Sequence, residues 1–425
     1  MPSIRVLHTP LMVGGNPQQL ARAERELGLD SRAVAFRSTV YDYPTDEILW
    51  PQGDPLWRFE ARRWNLLWRA LRAVAFRSTV YDYPTDEILW PQGTPLWRFE
   101  ARRWNLLWRA LRDVDVLHFN FGMSILPHWV PENASALEGV PNPVRKAYQL
   151  YARLFELRDL PWLKRAGKTI VVTYQGNDAR QGDYCREHFA ISPVTEVDPG
   201  EYSPELDRHK RWKIAKFARY ADRIYSLNPD LMHVLPAQTR FLPYAHIDLD
   251  DWAPASNPAP AEVPVVLHAP SHRGMKGTRH ILAAVERLKQ EGIPFEFVLV
   301  EGLSHAEARS LYQRADLLID QLLCGWYGGL ATELMALGKP VICYLRDGDL
   351  GFIPEAMRQE LPLIQAEPAT IEAVLRDWLT VRRSELAERG RQSRRFVERW
   401  HDPRSVAATL KADYEELRSA PGGRR

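Results

Sequence analysis

Short apolar blocks alternate along this chain with amphipathic stretches, a pattern that predicts repeated strand–helix units and an α/β fold. Ile4–Pro10, Val114–Phe119, Thr169–Thr173, Ile224–Ser226 and Arg240–Pro243 read as strands of one parallel sheet. Val265–His268, Phe295–Val300, Leu317–Ile319 and the run ending at Tyr344 read as strands of a second. Helical spacing predicts helices over Pro17–Leu27, His280–Glu291, Ser304–Ala315, Leu330–Leu337, Arg391–Trp400 and Ser405–Leu417. Between the two sets lies Asp251–Pro264, with Pro254, Pro258, Pro260 and Pro264, which reads as a linker. The expected division is a first domain over 1–250, a linker over 251–264, a second domain over 265–400, a terminal helix over 401–418 and a frayed tail over 419–425.

One stretch is written twice. Ala33–Arg72 and Ala73–Arg112 differ only at Asp54 versus Thr94. Each copy predicts a strand, a Pro-rich loop and a helix, and two copies are too few for a solenoid. A parallel sheet needs one such unit before the strand Val114–Phe119 and finds two. Closing the longer connection costs on the order of 1 kcal/mol, so the surplus unit is expected as an appendage. Eight of the fifteen tryptophans lie in the copies (Trp50, Trp57, Trp64, Trp68, Trp90, Trp97, Trp104, Trp108), and an exposed copy would invite self-association. The helix Trp57–Arg72 places Trp57, Ala61, Trp64, Trp68 and Leu71 on one stripe, with Arg58, Arg62, Arg69 and Arg72 off it. Such a helix either lies on an anionic membrane or packs on the sheet with its arginines solvated.

The densest chemistry is in Ala315–Tyr344, ADLLIDQLLCGWYGGLATELMALGKPVICY. A strand ends at Asp320, a turn carrying Gly325, Gly328 and Gly329 follows, and a helix opens whose stop is Gly338 and Pro340. The first-turn N–H groups around Gly329, Leu330 and Ala331 and the positive helix end suit a phosphate. Glu333, one turn inside, suits a neighbouring pair of sugar hydroxyls. Arg273 and Lys276, in HRGMKGT after the strand Val265–His268, can neutralise a diphosphate, and Glu301, before Gly302, ends a strand where a base could be held. In the first half, Gly14, Gly15 and Asn16 follow the first strand, His118 and Asn120 precede Gly122, and Gln175, Gly176, Asn177, Asp178 and Arg180 follow Thr169–Thr173. Ligands of open parallel sheets bind beyond the C-terminal strand ends, so these groups should line one cleft. Asp178 and Arg180 either bind a sugar acceptor there or belong to a turn satisfied by its own Asx hydrogen bonds.

Glu333 with Met335–Val341 resembles the donor-site signature of retaining glycosyltransferases of the GT-B fold, the glycogen synthase-like superfamily. There a Glu, seven residues and a second Glu precede Met-Ala-x-Gly-x-Pro-Val; the first Glu corresponds to Gly325 here. Lys276-Gly277, the Gly14–Asn16 loop and the QGNDAR turn resemble further parts of such enzymes, bacterial ones among them. The resemblance implies two Rossmann-like domains facing across a cleft, with terminal helices crossing back to the first domain. It implies a hexosyltransferase moving sugar from a nucleotide-diphosphate sugar to a saccharide, a lipid-linked or a small-molecule acceptor. Arg273, Lys276 and Glu333 would carry the reaction. Glu301, Asp320, Gly325, Tyr327, Gly328, Gly329, Leu330 and Ala331 would surround the donor, and Gly14, Gly15, Asn16, His118, Gln175, Asn177, Asp178 and Arg180 the acceptor. No cofactor beyond the co-substrate and no metal is expected, because cations and helix dipole meet the diphosphate charge. The strings Asp113–Asp115 and Asp248–Asp250 read as chance. Two alternatives stay open: a GT-B protein that binds nucleotide or sugar without transfer, favoured by Gly325, and a sugar-nucleotide epimerase of the same architecture, which a catalytic carboxylate cluster in the cleft would favour.

Composition narrows the rest. A formal charge of +2 on 425 residues gives no reason to expect a nucleic-acid partner. Three cysteines, Cys185, Cys324 and Cys343, have neither metal nor disulfide spacing. The N-terminus lacks a basic n-region and an apolar h-region, and no apolar run reaches the length of a membrane span. A cytoplasmic protein is expected, with the inner membrane face as a place of peripheral contact. No G-x-G-x-x-G follows the first strand, which argues against a dinucleotide oxidoreductase.

Overall fold

The computed structural model describes residues 3–10, 13–35, 47–48, 96–129, 142–254, 262–303 and 305–419. Twelve strands are described, all pairing in parallel, in two sheets. The first holds β1 (Arg5–Thr9), β2 (Asp30–Ala35), β3 (Glu47–Ile48), β4 (Val116–Asn120), β5 (Thr169–Tyr174), β6 (Arg223–Ser226) and β7 (Arg240–Phe241), in the order β3-β2-β1-β4-β5-β6-β7. The second holds β8 (Val265–His268), β9 (Glu296–Leu299), β10 (Leu317–Ile319), β11 (Val341–Cys343) and β12 (Ile364–Gln365), in the order β12-β11-β10-β8-β9. Both orders are doubly wound, with helices on both faces. That is why β4, β5, β8, β10 and β11 are buried throughout, and β8, β10 and β11 are apolar at nearly every position. The fold is the expected one: two Rossmann-like domains in the GT-B arrangement.

The helices of the first domain are α1 (Asn16–Glu26), α2 (Leu96–Asp113), α3 (Asn142–Phe155), α4 (Asp159–Arg165), α5 (Gly182–His188) and α6 (Pro204–Tyr220). Those of the second are α7 (Arg273–Lys276), α8 (Thr278–Gln290), α9 (His305–Arg314), α10 (Gly329–Ala336), α11 (Glu355–Gln359), α12 (Ile371–Leu379) and α13 (Leu386–Trp400). The last helix, α14 (Pro403–Ser419), returns to the first domain, where Val406, Ala407, Leu410 and Tyr414 join Val6, Leu20, Val116 and Tyr225 in one core. In the opposite sense, Ile247 and Trp252, just after β7, join the core of the second domain. The chain therefore ties the domains together twice.

The duplicated stretch contributes one strand–helix unit's worth of described structure, divided between the copies. β2 ends in the first copy, β3 lies in it, and α2 comes from the second. The surplus Trp-rich segment and the helix Trp57–Arg72 lie outside the described residues. In α2, which has the same sequence, the buried face differs from the expected stripe. Arg103, Leu106, Leu107 and Ala110 are buried, whereas Ala101 and Trp108, the counterparts of Ala61 and Trp68, face solvent. The sheet accepts the narrower leucine face, and Trp104 fills the edge against Phe155 and Trp162. Because the repeat is tandem, deleting Ala33–Arg72 joins Arg32 to an identical AVA run and rebuilds β2, β3 and α2. The deletion variant should keep its melting temperature and be more soluble; loss of the cooperative unfolding transition would contradict the assignment.

Candidate functional site

In the second sheet the chain reverses direction between β8 and β10, so the loops leaving their C-terminal ends diverge and leave a crevice. The loop after β8 carries Arg273 and Lys276; the loop after β10 carries Asp320 and the glycine turn into α10. Lys276 O accepts from Leu322 N at 3.1 Å and Met275 O from the Cys324 thiol at 3.4 Å, which fixes the loops against each other. His268, the last residue of β8, is fully buried between them: its two ring nitrogens lie 2.8 Å from Ile319 O and 2.9 Å from the Thr278 hydroxyl. Burial pushes this imidazole down to about 4. The unfolded chain takes up the proton near pH 6.5 and the folded protein does not. Stability at this position is therefore complete above pH 6.5 and falls by about 3 kcal/mol as pH drops to 4. A His268→Gln variant should lose less stability than the parent between pH 6.5 and 4 in denaturant titrations; parallel curves would contradict this.

Lys276 donates to Asp320 Oδ1 at 2.8 Å, and Asp320 Oδ2 accepts from Gly328 N at 2.7 Å. Asp320 is buried and Lys276 partly so, and the ammonium is held charged: desolvation opposes it, but the Asp320 carboxylate outweighs desolvation and raises its pKa. A Cβ on Gly328 would lie 3.0 Å from Lys276 Nζ, so the glycine makes room for the ammonium beside the N-terminus of α10. The carboxylate and the helix dipole stabilise each other there. Helix geometry leaves Gly329, Leu330 and Ala331 N–H without a carbonyl one turn earlier, so a lysine and three amides meet at one point. Such a combination has the chemistry to accept an anion beside the Asp320 carboxylate.

Glu333 is buried one turn inside α10, its Oε1 3.7 Å from His246 Nε2. The His246 ring lies 3.3–3.4 Å from where a Cβ on Gly329 would stand, so this histidine covers the helix start. It comes from the segment after β7, and as an isolated histidine it has no spacing signal that would have marked it.

Other predicted residues have different surroundings. Arg273 forms a bidentate pair with Glu301, at 2.7 and 2.5 Å, at a more exposed position, so Glu301 is engaged by the arginine. Tyr327 is fully buried, with its hydroxyl 2.8 Å from His401 Nε2, and packs the second core. Gly325 has φ +77, and a Cβ there would stand 2.7 Å from Arg346 Nη1 and 3.1 Å from its Cβ. The place of the signature's first Glu is thus closed by Arg346, which is bound to Asp349 at 2.6 Å and to Ile191 O of the first domain at 2.9 Å.

On the first-domain side, Gly14 and Gly15 both have positive φ and lead into α1, whose Asn16 side chain accepts from Ala245 N at 2.6 Å. Gln175 donates to Asn120 at 3.2 Å and, through its carbonyl, accepts from Asn228. His118 is fully buried, 2.7 Å from the Tyr414 hydroxyl and 2.6 Å from that of Thr173. It fastens α14 to the sheet rather than facing the cleft. In QGNDAR the Asn177, Asp178 and Arg180 side chains all have folding roles. Asp178 accepts from Gln175 N and Gly176 N, the Asx turn; Asn177 accepts from Tyr202 at 2.6 Å and from Arg180 at 2.9 Å; Arg180 pairs with Asp230 at 2.8 Å. Burial pushes the Asp178 carboxyl up to about 6.

The domains touch across the cleft. Glu196 bonds Arg279 and His280 at 2.5 and 2.8 Å, Glu201 meets His272 at 3.0 Å, and Asp349 meets His233 at 2.8 Å. Among the described residues no group of three or more His, Cys, Asp or Glu side chains is placed to hold a metal.

No protein-family profile and no curated protein matches the sequence. Solved structures do match the fold. Sucrose-phosphate synthase from Thermosynechococcus elongatus is similar over 98% of this chain and 100% of its own, at 13% identity and TM-score 0.53. A glycosyltransferase from Rickettsia africae is similar over 99% and 100%, at 12% identity and TM-score 0.53. Anabaena HepE, solved with UDP-glucose, is similar over 97% and 100%, at 9% identity and TM-score 0.54. At these identities the likeness is one of fold, the two-sheet GT-B arrangement.

Proposed function

We propose that the chain is a metal-independent, retaining glycosyltransferase that moves a sugar from a nucleotide-diphosphate sugar to a hydroxyl acceptor. The observation that carries this reading is the meeting of Lys276 with the first-turn amides of α10 at the switch point of the second sheet. The diphosphate sits there, with Lys276 and the amides taking the charge that develops as the bond from phosphate oxygen to anomeric carbon breaks. The acceptor oxygen bonds to the anomeric carbon, and its proton leaves on the released diphosphate. Glu333 holds sugar hydroxyls under His246, and the contacts between the domains exclude water. The first domain supplies the acceptor side around Gly14–Asn16, Asn120 and Gln175. HepE, solved with UDP-glucose, supports the donor class, and the match of Glu333 with Met335–Val341 supports retention.

Gly325 favours a second reading, binding without transfer, because Arg346 stands where the signature's first Glu would begin. Donor turnover decides between them. Purified protein incubated with nucleotide-diphosphate sugars and saccharide acceptors should release nucleoside diphosphate, and Glu333→Ala should release at least tenfold less. Nucleotide binding with no release above the Glu333→Ala background would leave binding without transfer as the function.

A further inference from the structure

The outer side of the first domain, away from the cleft chemistry, carries a surface that folding alone does not account for. α2 and α3 meet through Trp104, whose Nε1 donates to the Tyr151 hydroxyl at 3.0 Å and whose ring stands edge-on to Phe155 at 5.5 Å. Beside this seam three large apolar side chains face water. Trp108, one turn beyond Trp104, is 55% exposed; Leu150 and Leu154, flanking Tyr151, are 61% and 56% exposed. Lys146, Ala147 and Arg153 share the outward stripe of α3. The surface continues onto α6: Arg153 lies 5.7 Å from the Trp129 ring, Trp129 4.8 Å from His209, and His209 5.6 Å from Trp212, itself 39% exposed beside Lys216.

Among the described residues, three carboxylates on this side are engaged, and Glu205, one turn before His209 on α6, is exposed. Glu100 accepts from Tyr151 at 2.7 Å, Glu156 is buried against His209 at 2.9 Å, and Asp113 pairs with Arg112. Among the described residues, this face projects Leu and Trp side chains interleaved with Lys146, Arg153 and Lys216, so its cations outnumber the exposed Glu205. Charge decides the occupant. A second copy docked through a two-fold axis would set these cations against their own counterparts. A lipid surface offers phosphates to the cations and an apolar layer to the Leu and Trp tips.

We propose that this face docks on an anionic phospholipid bilayer, with Trp108, Leu150, Leu154 and Trp212 entering the headgroup–acyl boundary and Lys146, Arg153 and Lys216 on the phosphates. The contact is peripheral, since among the described residues no helix is long and apolar enough to cross a membrane. The proposal does not depend on the reaction assigned to the cleft.

Vesicle sedimentation of the full chain tests it. The protein should pellet with vesicles of phosphatidylglycerol mixed with phosphatidylcholine and stay in the supernatant with phosphatidylcholine alone. Leu150→Glu with Leu154→Glu should weaken partitioning by roughly tenfold or more per leucine. Lys146→Gln and Arg153→Gln should each weaken it about fivefold, with the remainder falling at high salt. All four side chains are exposed, so the variants should melt with the parent. No pelleting with the anionic vesicles, or equal pelleting of the variants, would overturn the proposal. So would a dimer in sedimentation velocity that Leu150→Glu disperses, which would assign the face to a second copy.

Discussion

Lys276→Ala should lower kcat/KM for donor turnover by a factor of about 10² to 10³, the usual consequence of removing one donor from a preorganised anion site. Affinity for nucleoside diphosphates should fall with it. The same change leaves Asp320 buried with no ammonium partner, which costs about 3 kcal/mol of stability. Two readouts separate these effects. Asp320→Asn with Lys276→Ala removes both charges of the pair, so it should recover most of the stability while activity stays low. If Lys276→Ala binds nucleotide as tightly as the parent, the anion site is not at the start of α10.

Gly390→Ala should have the largest effect on folding. A Cβ at Gly390, in α13, would lie 2.0 Å from Gly338 O and 3.1 Å from Gly338 C, both backbone atoms that no side-chain rotation can move away. α13 crosses α10 at that point, where Gly338, at φ +70, closes the helix. Separating the helices enough to admit a methyl group should cost about 3 kcal/mol, the upper end of overpacking costs. It should also disturb Glu333 and the start of α10. Gly348→Ala and Gly351→Ala meet nothing within 4 Å and have ordinary φ, so they serve as controls expected to fall within about 0.5 kcal/mol of the parent. Chemical denaturation of the three variants tests the prediction; a Gly390→Ala protein as stable as the controls would contradict the helix crossing.

How much of this was legible in the sequence depends on the range of the interaction behind each feature. Leu317–Ile319 and Val265–His268 were readable because a strand buried on both faces must be apolar throughout. The start and stop of α10 were readable because Gly328, Gly338 and Pro340 act on their own backbone. α6 was not, since its sequence PELDRHKRWKIAKFARY mixes charge into every turn and blurs the helical period. Side-chain partners were the least legible. His118 at the end of a strand reads as a cleft residue, yet its partner Tyr414 arrives from the last helix and turns it into a core fastener. Asn177, Asp178 and Arg180 read as surplus polarity in a turn, but Tyr202, Asp230 and the turn's own amides account for them. Arg346 behind Gly325 and His246 above Gly329 are tertiary meetings with no local pattern to announce them.

The central claim is that a nucleotide diphosphate binds where Lys276 meets the start of α10. Calorimetric titration of UDP, GDP and ADP into the protein and into its Lys276→Ala variant tests it most directly. One or more of the three should bind at a single site with micromolar affinity, and Lys276→Ala should weaken the binding at least tenfold. A folded protein that takes up none of the three diphosphates at millimolar concentration would contradict the claim.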